Sequence, residues 1–129
     1  MDEKPGQIRG YRDLIVWQEA MEIAEQVYLL TRSFPREEAY GMTSQMRRCA
    51  ASIPANIAEG FGRAQRKSFI QFLRVAQGSL KELESHAQLS CRVALLSEAD
   101  LNDLMCQCER LGKRLVRFVR TLNHEPSPQ

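Results

Sequence analysis

Four cysteines, two histidines and eighteen lysines and arginines are the side chains from which this 129-residue chain could build chemistry. A structural zinc site takes about four convergent thiolate or imidazole ligands. Cys106 and Cys108 are two apart, so on a helix they point about 160° away from each other and cannot share an ion. His86 and Cys91 are five apart and also poorly aligned, and His124 lies in the carboxy-terminal tail. Cys49, Cys91 and Cys108 read instead as small core residues, and the expectation is no metal and no cofactor. Nucleophilic catalysis fares no better. Neither histidine has a Ser or Cys partner in a recognisable motif, and Gly60-Phe61-Gly62-Arg63 lacks the spacing and the Lys-Ser/Thr of a phosphate loop. The chain is therefore expected not to be an enzyme; a ligand bound near Asn56 and Glu59 would reverse that.

More informative is a polar line of Gln45, Arg48, Ser52, Asn56 and Glu59, spaced three or four apart beside an apolar stripe. Polar side chains in such a place must find partners. The line reads as an internal hydrogen-bond and ion-pair seam that sets the register of helices or subunits. A pocket or channel lining shared between subunits is the alternative. If the helical direction persists past the glycines, Arg63 comes within i, i+4 reach of Glu59.

Basic residues gather in two places. Arg63, Arg66 and Lys67 precede Arg74 and Lys81 on one outer face. Cations at a helix N-terminus oppose the dipole at about 0.3–1 kcal/mol each, a placement that an anion docked there would offset. The second group is Arg110, Lys113, Arg114, Arg117 and Arg120, all on the arc away from Leu111 and Leu115, after a first half carrying Glu98, Asp100, Asp103 and Glu109. Acid first and base last is what the helix dipole favours. It does not require five cations and no carboxylate over three turns. A stripe about 15 Å long suits a nucleic-acid backbone, whose affinity for proteins comes largely from phosphate neutralisation; a solvated outer face accounts for it equally well.

Helices must position all of these groups. Leu, Ala, Arg, Glu and Gln dominate, a composition that leans helical. Residues 1–10, with Pro5, Gly6 and Gly10, read as a flexible arm, and residues 123–129, with two prolines, as a flexible tail. A first helix is expected from about Asp13, its N-cap, to Ser33. Leu14, Trp17, Met21, Ala24 and Tyr28 form its stripe, widened by Ala20, Ile23, Val27 and Leu30. So broad an apolar arc exceeds the ~100° of a simple surface helix and predicts two neighbours, one of which can belong to another subunit. Phe34-Pro35 stops it. A second helix begins near Thr43, buries Met42, Met46, Cys49 and Ile53, kinks near Cys49–Ile53 ahead of Pro54 and ends with Gly60 and Gly62 as C-cap glycines. The third, Arg66 to Ala94, aligns Phe69, Leu73, Ala76, Leu80, Leu83, Ala87, Cys91 and Ala94. Ser97 to Asp100 resembles a capping box, and the fourth helix runs to Leu122 with Leu104, Cys108, Leu111, Leu115, Phe118 and Leu122 inward. The fold class is all-α: an antiparallel up-down-up-down four-helix bundle over residues 11–122.

A net charge of +2 does not by itself identify a nucleic-acid binder, and 43% hydrophobic with 26% charged residues describes an ordinary globular protein. No apolar stretch approaches the ~20 residues of a membrane span, and no amino-terminal run has the pattern of a signal peptide. Free thiols and a cytoplasmic location are expected.

Tyr11-Arg12-Asp13-Leu14-Ile15-Val16-Trp17-Gln18, the Phe34-Pro35 stop, Glu38 to Arg48, and Ser52-Ile53-Pro54-Ala55-Asn56-Ile57-Ala58-Glu59-Gly60 with Gly62-Arg63 form a recognisable pattern, continued by Phe72-Leu73, Ala76 and Gly78 to Glu84. The chain resembles the four-helix-bundle proteins encoded in intervening sequences of bacterial large-subunit ribosomal RNA genes, over about Arg12 to Leu122. That resemblance implies a homopentameric ring. It also implies kinship with the accessory variability proteins of diversity-generating retroelements, which bind nucleic acid and a reverse transcriptase. Gln65 and Ser68 depart from the family, which tends to have Ser and Glu there.

The expectation is a homo-oligomer that binds RNA or another nucleic acid with little sequence specificity through Arg63, Arg66, Lys67, Arg74, Arg110, Lys113, Arg114, Arg117 and Arg120. Gln45, Arg48, Ser52, Asn56 and Glu59 would hold the register. The alternative is a scaffold whose basic faces dock an acidic protein partner.

Overall fold

The computed structural model describes residues 8–124; positions 1–7 of the expected arm and 125–129 of the expected tail lie outside the described residues. Four helices carry the chain: α1 (Ile15–Thr31), α2 (Met42–Gly62), α3 (Arg66–Arg92) and α4 (Glu98–His124), with 3₁₀ turns at Tyr11–Asp13 and Arg36–Glu38. There is no strand among the described residues, and no helix is long and apolar enough to cross a membrane. Each helix packs on two others, α1 on α2 and α4, α3 on α2 and α4, so the four close a ring of neighbours around one core. Residue pairs at the contacts fix the directions. Gly60 meets Phe72 while Met46 meets Ser90, so α2 and α3 are antiparallel. Phe69 stacks edge-on to Phe118 while Leu80 meets Gly112, so α3 and α4 are antiparallel too.

The core is aliphatic: Ile23, Met46, Ile53, Ile57, Leu73, Leu80, Leu83, Leu104, Leu111 and Leu115 are all essentially inaccessible. At about 1.5–3 kcal/mol for each side chain so buried, this cluster outweighs any local defect of a single helix. Pro54 illustrates the point. An interior proline costs about 3 kcal/mol, yet α2 runs through it without a break at Cys49–Ile53. Ile53, Pro54 and Ile57 are all buried, which offsets the cost.

Several expectations need correction. Met21 and Tyr28 are exposed, whereas Leu14, Ala20, Ile23, Ala24 and Val27 are buried as expected and Val16 joins them. Asp13 does not cap α1. Its carboxylate accepts from the backbone N–H groups of Arg9 and Gly10 at 2.8 and 3.3 Å, bracing the 3₁₀ turn instead. Gly60 is not a cap either but a buried residue inside α2, where a Cβ would stand 2.6 Å from Cβ of Phe72. The left-handed residue after α2 is Ala64, at φ 60°. Ala94 is exposed and left-handed (φ 66°), beyond the end of α3. Val119, not anticipated, joins the core, while Phe118 and Leu122 are half-buried.

Candidate nucleic-acid interface

Two helices with basic outer faces lie side by side, and their relative rotation decides which cations meet. On α3, Lys67, Arg74 and Lys81 recur every seven residues, nearly two turns, and so share one line about 21 Å long. On α4, Lys113, Arg117 and Arg120 line, together with Lys81 at one end of that row, a groove of about 560 Å³; Lys67 and Arg74 lie outside it. Leu80, Gly112 and Val116 form its apolar floor; Lys81, Lys113, Arg117 and Arg120 stand around it with a single carboxylate, Glu109. Gly112 supplies no side chain to the wall, and a Cβ there would already touch Leu80 at 3.6 Å. Flexible cations over an apolar floor present exchangeable donors that carry no fixed base pattern. Chemically, such an arrangement can neutralise phosphates and offers no fixed donor pattern to base edges.

The other expected contacts divide. Arg114 turns away to α1, where its Nε donates to Glu19 Oε2 at 3.1 Å. Arg110 lies with Glu19, Glu22, Ile23 and Gln107 in a small cleft on that same side. Arg63 pairs with Glu59 at 3.0 Å and sits 5.1 Å over the ring of Phe72. Arg66 is half-buried at the start of α3, while Lys67 and Arg74 are exposed. Lys81 is not wholly free for a ligand, since Nζ lies 3.3 Å from both oxygens of the largely buried Glu84.

The polar line of α2 also splits. Ser52 and Asn56 enter the seam with α3: Ser52 Oγ lies 2.8 Å from Ser79 Oγ, and Asn56 Nδ2 donates to Ser52 O and Oγ at 2.8 and 2.9 Å. These groups satisfy one another, as buried polar groups must. Gln45 and Arg48 remain exposed, and Glu59 serves Arg63.

Two features escaped the linear reading. Arg47 closes the C-terminal end of α1, donating from Nε to Thr31 Oγ1 at 2.9 Å and from Nη2 to Tyr28 O at 3.3 Å. Its place on the same face as Ala51, Pro54 and Ala58 gave no sign that it would reach across to the end of α1. Second, α3 begins at Arg66 as expected, but Gln65 makes no side-chain cap there. An edge-on aromatic chain, Phe61 to Phe69 to Phe118, holds that end.

No protein of curated function matches the chain. A solved structure of a protein of unknown function from the S23 ribosomal protein family of Bacteroides thetaiotaomicron is similar, with a TM-score of 0.73 at 22% identity over 81% of this chain and 98% of that one. At that identity the likeness is one of fold. Over residues 12–117 the sequence matches the 23S rRNA-intervening sequence proteins, and the chain belongs to that family.

Proposed function

We propose that this protein is a non-enzymatic, oligomeric RNA binder that holds phosphates along the α3–α4 groove. The observation that carries the reading is the α3–α4 groove, where Lys81, Lys113, Arg117 and Arg120 stand over an apolar floor, with Lys67 and Arg74 exposed further along α3. Membership of a family linked to ribosomal RNA genes favours RNA as the polyanion. Assembly is supported by a second, apolar hollow of about 730 Å³ between α1 and α2. Trp17, the exposed Met21 and Tyr28, and the small residues Ala51, Ala55 and Ala58 line it. Small residues beside exposed large ones suit close approach of another subunit. The family likeness makes a pentameric ring the expected form, which would repeat the groove around its circumference.

The test is fluorescence anisotropy of a labelled structured RNA from about 50 to about 300 mM salt, where six phosphate contacts predict a loss of about 10³-fold or more. Reversal of Lys113, Arg117 and Arg120 to Glu should abolish binding, while Arg36→Glu, exposed in the 3₁₀ turn between α1 and α2, should not. Absence of binding at low salt would overturn the RNA reading and direct the search to an acidic protein partner, whose capture nuclease leaves intact. A monomer by light scattering would overturn the ring.

A further inference from the structure

Cys49 is the residue whose surroundings the linear spacing describes least. It lies buried on α2, facing the stretch of α3 that carries Glu82 and His86. Those two are one helical turn apart, so they project from the same face. The thiol sulfur, a carboxylate oxygen and an imidazole nitrogen all fall within 4.8 Å of one another. His86 Nε2 and Glu82 Oε2 are 3.7 Å apart. In a tetrahedral site with ligands at about 2.0–2.3 Å, neighbouring donors are separated by roughly 3.3–3.8 Å. The imidazole and carboxylate therefore already span one edge of such a tetrahedron, and the sulfur needs to close by at most about 1 Å, within the reach of a side-chain rotation.

We propose that Cys49, Glu82 and His86 form a binding site for a zinc-class divalent ion that ties α2 to α3. A sulfur, an imidazole and a carboxylate make a borderline donor set that suits zinc or cobalt and not magnesium or calcium, which require oxygen ligands throughout. Three protein ligands leave one tetrahedral position for water. Glu82 is 57% exposed and His86 23%, so an ion enters from solvent on their side while Cys49 closes the inner side. Charge balances: thiolate, carboxylate and neutral imidazole against a dication sum to zero.

Without an ion a cysteine thiol is protonated at neutral pH. A coordinated divalent ion removes that proton outright. Binding then forms one metal–sulfur bond and releases the thiol proton to solvent, one per ion at neutral pH. The site is independent of the basic groove, which lies on the α4 side of α3.

The test uses the full-length chain titrated with cobalt(II) alone and then zinc alone. One equivalent per chain should give a thiolate-to-cobalt charge-transfer band and the visible bands of four-coordinate cobalt, both erased by stoichiometric zinc. Calorimetry in buffers of differing ionisation enthalpy should return about one proton released per ion, and zinc should raise the thermal midpoint by several degrees, since it binds only the folded pair of helices. Cys49→Ser should abolish the charge-transfer band. His86→Gln and Glu82→Gln, at more exposed positions that leave the core intact, should each weaken binding at least tenfold. Cys106→Ser removes the exposed thiol and should change nothing. A charge-transfer band that survives Cys49→Ser, one that disappears with Cys106→Ser, or affinity untouched by His86→Gln would overturn the site.

Discussion

Arg114 Nε donates to Glu19 Oε2 at 3.1 Å, pinning the middle of α4 to α1. The remaining oxygen of Glu19, Oε1, is buried with no hydrogen-bond partner among the described residues, so Arg114 is what compensates this largely buried carboxylate. Arg114→Ala should therefore lower stability in urea by about 1–2 kcal/mol and leave the salt dependence of RNA binding unchanged. Arg117→Ala, on the groove, should do the reverse: stability within about 0.5 kcal/mol of the parent and a salt slope smaller by about 1. Equal effects of the two changes on RNA would mean that the stripe acts as a whole.

Two glycines in helices should respond oppositely to alanine. At Gly60 the added Cβ would meet Phe72 Cβ at 2.6 Å, Phe69 Cδ1 at 3.0 Å and the Phe69 carbonyl oxygen at 3.3 Å, and a Cβ and a carbonyl are fixed to the α3 backbone and cannot yield cheaply. Overpacking of this kind costs about 1–3 kcal/mol, more than the roughly 1 kcal/mol that helix propensity returns. Gly78 is exposed on α3 and has nothing within 4 Å, so Gly78→Ala should stabilise by about 0.5–1 kcal/mol. Thermal denaturation of both variants checks the pair.

Arg47 combines the hydrogen bonds to Thr31 Oγ1 and Tyr28 O with a guanidinium 4.6 Å over the Tyr28 ring. A cation at a helix C-terminus also complements the dipole. Arg47→Ala should cost about 1–2 kcal/mol by chemical denaturation. Arg47→Lys should recover only part of that, since a lysine lacks the planar fork that serves two acceptors at once. Full recovery would reduce the role to charge alone.

Thiol titration separates the cysteines. Cys106 is exposed, whereas Cys49 and Cys108 are buried and held up to about 11 and about 12, each first by burial and then by a nearby carboxylate, Glu82 and Glu84 respectively. The reactive thiolate is thus scarce at both buried sites near pH 8. A disulfide reagent should modify Cys106 first, and Cys106→Ser should erase that fast phase. Because both folded values lie above the ordinary 9.0, these thiols favour folding fully below that pH. Their contribution is lost as pH rises from about 9 through about 11 and 12. Stability that increased over that range would contradict the assignment.

What the sequence determined by itself is the set of helices and much of their inner faces. Apolar residues at the 3.6-residue period declare a face without reference to any partner, and local chemistry marks some ends: Ser97 Oγ accepts from the N–H of Asp100 at 3.1 Å, as its spacing from Asp100 implied. Leu73, Ala76, Leu80 and Leu83 are buried as the pattern of α3 required.

The tertiary structure alone decided which faces meet. A helical wheel gives angles about one axis; the rotation and register between two axes are set by how the whole core packs. That is why one stripe on α4 divides, Lys113 and Arg120 toward α3 and Arg110 and Arg114 toward the carboxylates of α1, with Arg117 bordering both sides. It is also why Gly60, a plausible helix stop by composition, is the point where α2 touches Phe72. Cys49 meets Glu82 and His86 for the same reason: residues more than thirty positions apart become neighbours only when two antiparallel helices settle into a single register.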